Sequence, residues 1–172
     1  MQTTWILSAN ASRARLFSEA GPNQPLLEIE DMVNSAVRLR TLETESDKIG
    51  PTAATNSGHN IGGTQGVAQA HNAKAGAPNK AYQPAQTPEQ HQAELFARDI
   101  SRYLVEAHQQ GRFQQLLIAA SPEFLGTLRA CLDPQIAALV TQELNKDYTQ
   151  LDAHRLHQQL REPLRARHAH PQ

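Results

Sequence analysis

One cysteine, Cys131, is all that this chain of 172 residues contains, so no disulfide can form within it. Cys131 sits in an apolar helical pattern and reads as a packing residue rather than a nucleophile. Aromatic residues are also scarce, at 5% of the chain, and mean hydropathy is −0.56. Part of the chain is therefore expected not to pack. No stretch approaches the ~18 apolar residues of a membrane span, which argues against membrane insertion. The opening "MQTTWILSANASR" lacks the basic and apolar regions of a secretory signal, so a cytoplasmic location is expected. Charge of one sign is missing as well. Sixteen Lys and Arg against 17 Asp and Glu leave a net charge of −1. No global basic field exists to hold nucleic acid, and any RNA partner must meet a local patch.

What is present divides at the middle of the chain. "TTWILSAN" (3–10), "SRARLFSEA" (12–20) and "PLLEIEDMVN" (25–34) are short, β-prone segments. Ala14 and Leu16 alternate with Phe17 on the opposite face. Leu27, Ile29 and Met32 or Val33 are available to a core. The tight connection near Ala11 and the Gly21-Pro22-Asn23 turn signal predict an antiparallel meander. The charged stretch from Ser35 to Gly50 reads as an irregular arm.

From Pro51 to Pro88 the composition changes. This stretch holds five of the nine glycines, four of the ten prolines and no acidic residue. Burial there cannot offset an ordering cost of roughly 1–2 kcal/mol per residue of backbone. A flexible loop over 51–86 is the expectation, and a connection of that length is either functional or disordered.

Order returns at Thr87. "TPEQHQAELFARDISRYLVEAHQQG" offers Thr87 as N-cap, Pro88 at the first helical position and Gln90 to close a capping box. Ala93, Phe96, Ala97, Ile100, Leu104 and Ala107 recur at helical spacing, Glu94 and Arg98 form an i,i+4 pair, and Gly111 ends the helix. "FQQLLIAAS" predicts a buried strand. Ser121-Pro122 and Asp133-Pro134 open two further helices, the first with Phe124, Leu125 and Leu128 inward. "LVTQELNKDYT" predicts a last strand, and Asp152 caps a final helix with Leu156 and Leu160. The order is β-β-β, loop, α-β-α-β-α. It predicts an α/β fold with a mixed five-stranded sheet flanked by helices, as a single domain over 1–165 with a disordered tail at 166–172.

Several stretches resemble a known bacterial family, the host attachment proteins or proteins required for attachment to host cells. They are "ILSANASRARLF", "SDKIG" (46–50), "ELFAR", the Gly111-Arg112-Phe113 turn, "SPEFLGTLR" and "LNKDYTQL". The layout is also similar to the middle domain of archaeal and eukaryotic class-1 peptide-release factors, through "LFAR" (95–98) and "LIAASPEF" (117–124). In that domain a Gly-Gly-Gln loop precedes the long helix and serves hydrolysis of the peptidyl-tRNA ester. This kinship implies an RNase H-like sheet and a role at the ribosome or tRNA.

Gly62-Gly63-Thr64-Gln65 lies in the matching connection. Two glycines would let the backbone approach RNA closely, and a glutamine can orient water for ester hydrolysis. Thr64 shifts the glutamine out of the Gly-Gly-Gln register, and more than twenty residues separate Gln65 from the helix. Gln65 with Gly62 and Gly63 is thus the candidate catalytic set, in a loop that reads more simply as a connection. Lys74 and Lys80, with His59 and His71, face no carboxylate between Pro51 and Pro88, which suits phosphate contact, and Tyr82 offers a stacking surface. Arg13, Arg15 and Arg40 form a candidate anion-binding strip, or ordinary edge-strand charges. Asp47 is a candidate turn cap. His154 and His157 stand three apart but lack further ligands, so no metal site is expected. Glu28, Glu30 and Asp31 on the third strand are the candidate carboxylates for a nuclease, and the first strand has none, which weighs against that chemistry. Ser8, Ser12 and Ser121 show no legible triad.

The sequence therefore favours a release-factor-like binding module without a cofactor, acting at or near the ribosome or tRNA. Peptidyl-tRNA hydrolysis through Gln65 and an indirect role in host attachment are the alternatives. The oligomeric state is not legible.

Overall fold

A computed structural model describes residues 2–21, 24–48 and 85–168. Three consecutive strands, β1 (Thr4–Ala9), β2 (Arg13–Glu19) and β3 (Leu27–Val33), form the expected antiparallel meander. The β1–β2 turn is closed by Asn10, whose N–H donates to the Arg13 carbonyl at 2.9 Å. Its side-chain oxygen accepts from the N–H groups of Ser12 and Arg13. Strands β4 (Gln115–Ala120) and β5 (Val140–Leu144) join parallel to β1, giving the order β3-β2-β1-β4-β5. The result is a mixed five-stranded sheet in which β2 alone runs against the others.

The stretch read as an irregular arm is a helix, α1 (Ser35–Lys48), so Asp47 lies on its last turn. Its start is local: the Ala36 N–H donates to Asn34 Oδ1 at 3.1 Å, an N-cap bond. Arg, Leu and Glu are good helix formers, but Leu39 and Leu42 are 60% and 52% exposed. The helix thus lacks the buried stripe that periodicity would have revealed.

Helix α2 (Pro88–Gln109) matches its sequence signals closely. Thr87 Oγ1 accepts from the Gln90 N–H while Gln90 Oε1 accepts from the Thr87 N–H, the reciprocal capping box. Phe96, Ala97, Ile100, Leu104 and Ala107 are buried, and Ala93 packs at the margin. At its end Gly111 takes φ +70°, and the N–H groups of Gly111 and Arg112 donate to the carbonyls of His108 and Ala107. That is a Schellman motif, and its left-handed residue favours glycine.

Helices α3 (Pro122–Cys131) and α4 (Pro134–Ala137) follow their proline signals. Ser121 holds the N-cap position of α3 but makes no side-chain capping bond, unlike Asp133, whose carboxylate accepts from the Gln135 N–H. Helix α5 (Ala153–His168) begins where Asp152 accepts from the Arg155 N–H at 2.8 Å. It continues past Pro163 to His168, so its backbone is helical through the point where a tail was expected.

The sheet separates two cores. On one face Trp5, Leu7, Leu16, Leu116 and Ile118 pack against α2, α3 and α4. On the other, Ile6, Phe17, Leu26 and Leu117 meet Tyr148, Leu156 and Leu160 of the α5 side. Strand β3 departs from expectation. Leu27 and Val33 are exposed, Leu26 just before the strand is buried, and Ile29 and Met32 only border the first core. A register shift opposite Leu16 and Phe17 inserts an extra residue in β3 and breaks the simple alternation.

Candidate functional site

The carboxyl ends of β1 and β4 meet the first turns of α2 and α3, the edge of an open α/β sheet where ligands commonly bind. A groove opens there between the two helices. One cavity of about 640 Å³ has Gln90, Glu94 and Arg98 on its α2 wall and Gly126, Thr127 and Cys131 on its α3 wall. A second, of about 380 Å³, shares Gln90 and Thr127 and reaches Ala11, Glu89 and Glu123. Gly126 keeps the α3 wall low, since a Cβ placed there would meet nothing within 4 Å.

The groove's polar groups are partly committed. Arg98 pairs with Glu94, and Gln86 also donates to that carboxylate at 2.8 Å. The Gln86 bond, aided by Arg98, holds the Glu94 carboxyl below its ordinary range. Arg40 of α1 reaches Glu89 at 2.9 Å. Glu123 has no ion pair among the described residues. Three carboxylates against two guanidiniums leave the groove acidic, so it is no phosphate site on its own. Cys131 is half-buried, with Sγ 3.9 Å from the Glu94 carbonyl, in keeping with packing.

Beside it, on the second face, lies a denser polar cluster. Arg15, only 9% exposed, donates two hydrogen bonds to Glu28 at 2.8 and 2.7 Å. Its remaining donors reach the carbonyls of Thr149 at 3.0 Å and Leu151 at 2.5 Å, and the guanidinium lies 5.1 Å from the Phe17 ring centre. Arg13 grips Asp31 in the same two-pronged way. These bonds hold the Glu28 and Asp31 carboxyls below the ordinary carboxylate range. Asn10 donates to Asp147 at 2.8 Å and Thr149 at 3.1 Å, while Asp147 accepts from both the N–H and the hydroxyl of Thr149. Burial works to raise the Asp147 carboxyl, but the bonds from Asn10 and Thr149 outweigh it and the net shift is downward.

The expected anion-binding strip of Arg13, Arg15 and Arg40 is therefore a set of ion pairs. Each guanidinium already faces a carboxylate, and Arg40 stands apart from the other two on α1. Glu28 and Asp31 are engaged by the same arginines. Gly62, Gly63, Gln65, Lys74, Lys80, His59, His71 and Tyr82 lie outside the described residues. The Ser8 hydroxyl is buried without a hydrogen-bond partner among the described residues. His154 bonds Gln158, and His157 lies 3.7 Å from Glu19. Among the described residues no three His, Cys, Asp or Glu side chains converge as a metal site would require, and no helix is long and apolar enough to cross a membrane.

Sequence reasoning missed Asn10, Asp147 and Thr149 as one cluster, because they are up to 139 positions apart. The only available signal was that all three fall within stretches shared with a family. The other shared stretches also serve the fold. Phe113 is fully buried and stacks on Trp5 at 4.6 Å, and Arg112 lies 4.9 Å from the Trp5 ring. Phe96 and Phe124 face each other across the α2–α3 contact, and Arg129 of α3 pairs with Glu143 of β5.

Together these features define a mixed α/β protein whose motif side chains lock one sheet between two helical layers. A family model described as "Protein required for attachment to host cells" matches residues 5–160, and the chain belongs to that family. No curated protein matches it.

Proposed function

We propose that this host attachment family protein is a binding module rather than an enzyme, release-factor-like in build, and that it acts at or near the ribosome or tRNA. The observation that carries the non-catalytic part is the commitment of its polar side chains. Arg13 and Arg15 are bonded to Asp31 and Glu28, and Asn10, Asp147 and Thr149 to one another, the Thr149 hydroxyl donating to Asp147 and accepting from Asn10. The ribosomal part is supported by layout. A sheet ordered 3-2-1-4-5 with one reversed strand, with a long capped helix between the meander and β4, fits the RNase H-like arrangement that the resemblance implies. With Arg13, Arg15 and Arg40 each paired to a carboxylate, phosphate contact is assigned to Lys74 and Lys80 in the acid-free segment from Pro51 to Pro88. A cytoplasmic location belongs to the same proposal; an indirect part in attachment, without ribosome association, is the alternative to it.

Sedimentation of a cell lysate through sucrose gradients at low and moderate salt tests it. Co-migration with ribosomes, weakened by salt and by joint replacement of Lys74 and Lys80 with alanine, is the expected result. Migration only at the top of the gradient in both salts would overturn the ribosomal reading. Peptidyl-tRNA release that is lost in Gln65→Ala would overturn the non-catalytic one.

A further inference from the structure

Helix α1 is capped, regular and almost bare. Four of the five exposed large apolar residues of the described chain fall between positions 27 and 42, and two of them, Leu39 and Leu42, sit one turn apart on α1. Ser35 and Ser46 extend that row at spacings of four, three and four residues, the pattern of a short coiled-coil seam. The opposite side of the helix is spoken for: Arg40 reaches Glu89, and Asn34 ties the helix start to the carbonyls of Ala11 and Gln92.

The charges along the helix are arranged against its own dipole. Arg38 and Arg40 stand in the first half and Glu43 and Glu45 in the second, and no acidic residue occupies the first turn. The positive amino end and negative carboxyl end of a helix favour the reverse placement. Arg38, Glu43 and Glu45 are exposed and form no ion pair among the described residues. A second α1 running antiparallel accounts for both features. With the centre between Arg40 and Thr41, Leu39 of each copy packs on Leu42 of the other. Arg38 then stands level with Glu43 of the second copy, with Glu45 within a turn.

We infer that α1 is the contact through which two copies of this chain associate, antiparallel about a two-fold axis. The interface is self-complementary, as a two-fold contact requires. Fourteen residues span only about 21 Å. The seam is thus short of the area of a standard stable interface, and the pair is weak and concentration-dependent.

Sedimentation velocity of the full chain from about 10 to about 500 µM reads this directly. The wild type is expected to move from monomer toward twice its mass, less so at high salt. Leu39→Glu should remain monomeric, with an unchanged far-ultraviolet spectrum. Arg38→Glu alone, and the double variant Glu43→Arg/Glu45→Arg alone, should each weaken association by about tenfold or more. An equimolar mixture of those two variants should restore it, since one then carries only negative and the other only positive charge along the seam. A wild type that stays monomeric throughout would overturn the inference. So would a mixture that associates no better than its components, or a Leu39→Glu protein that still pairs.

Discussion

Replacing Arg15 with alanine separates a structural guanidinium from an anion-binding one. Arg15 of β2 ties β3 through Glu28 and the segment before α5 through the carbonyls of Thr149 and Leu151. Its loss leaves the two carbonyls without that donor, at about 1–1.5 kcal/mol each where burial is substantial. The Glu28 side chain is 35% exposed, so water screens its lost pairing and about 1 kcal/mol is appropriate there. The expected destabilisation is about 3–4 kcal/mol, a large share of the roughly 5–15 kcal/mol that domains possess. Urea unfolding followed by tryptophan fluorescence measures it, because Trp5 is buried in the first core. Arg15→Lys keeps the charge but loses the planar fork, and should recover no more than about half. A loss below about 1 kcal/mol for Arg15→Ala, or full recovery with lysine, would refute the clamp.

Glycine supplies a prediction of opposite signs. Gly111→Ala should destabilise by about 1 kcal/mol, since φ is +70° there, whereas Gly126→Ala, in a helix with open space at its Cβ, should stabilise by about 0.5–1 kcal/mol; thermal melts of both variants check this. Thr87→Ala should cost about 1 kcal/mol and speed hydrogen exchange at the Gln90 amide, with Thr87→Ser close to wild type. The Asp147 carboxyl is depressed in the folded state, so its contribution to stability is full above the ordinary carboxylate range near ~4 and is lost as pH falls through the folded value. Asp147→Asn should therefore cost about 1 kcal/mol at pH 7 and progressively less as pH is lowered below the ordinary carboxylate range; parallel stability curves for the two proteins would refute that assignment.

Much of the second half was legible because its signals are local. A capping box, a proline at the first helical position and a terminal glycine act within a few residues, and the Phe96-to-Ala107 stripe repeats with the period of the helix itself. The three meander strands were equally readable from short β-prone runs between turn signals. Helix α1 was not, because the usual cue is a buried face and its leucines are exposed. Strand β3 misled for a related reason: an extra residue moves Leu27 out of the core that alternation assigned to it.

What the sequence determined by itself was therefore the set of elements marked by local caps, turn signals or a run of apolar residues, and the presence of a long acid-free segment before α2. The tertiary structure alone decided what the charges on the strands do. Nothing near Arg15 in the chain announces the carbonyls of Thr149 and Leu151, more than 130 positions away, and nothing near Asn10 announces Asp147. Those partners meet because β1 lies beside β4 and the chain then returns through β5, a pairing set by burying two faces of one sheet at once. Until that packing exists, a guanidinium on a strand is equally suited to a phosphate in solution and to a carboxylate across the sheet. The order of the strands makes the choice.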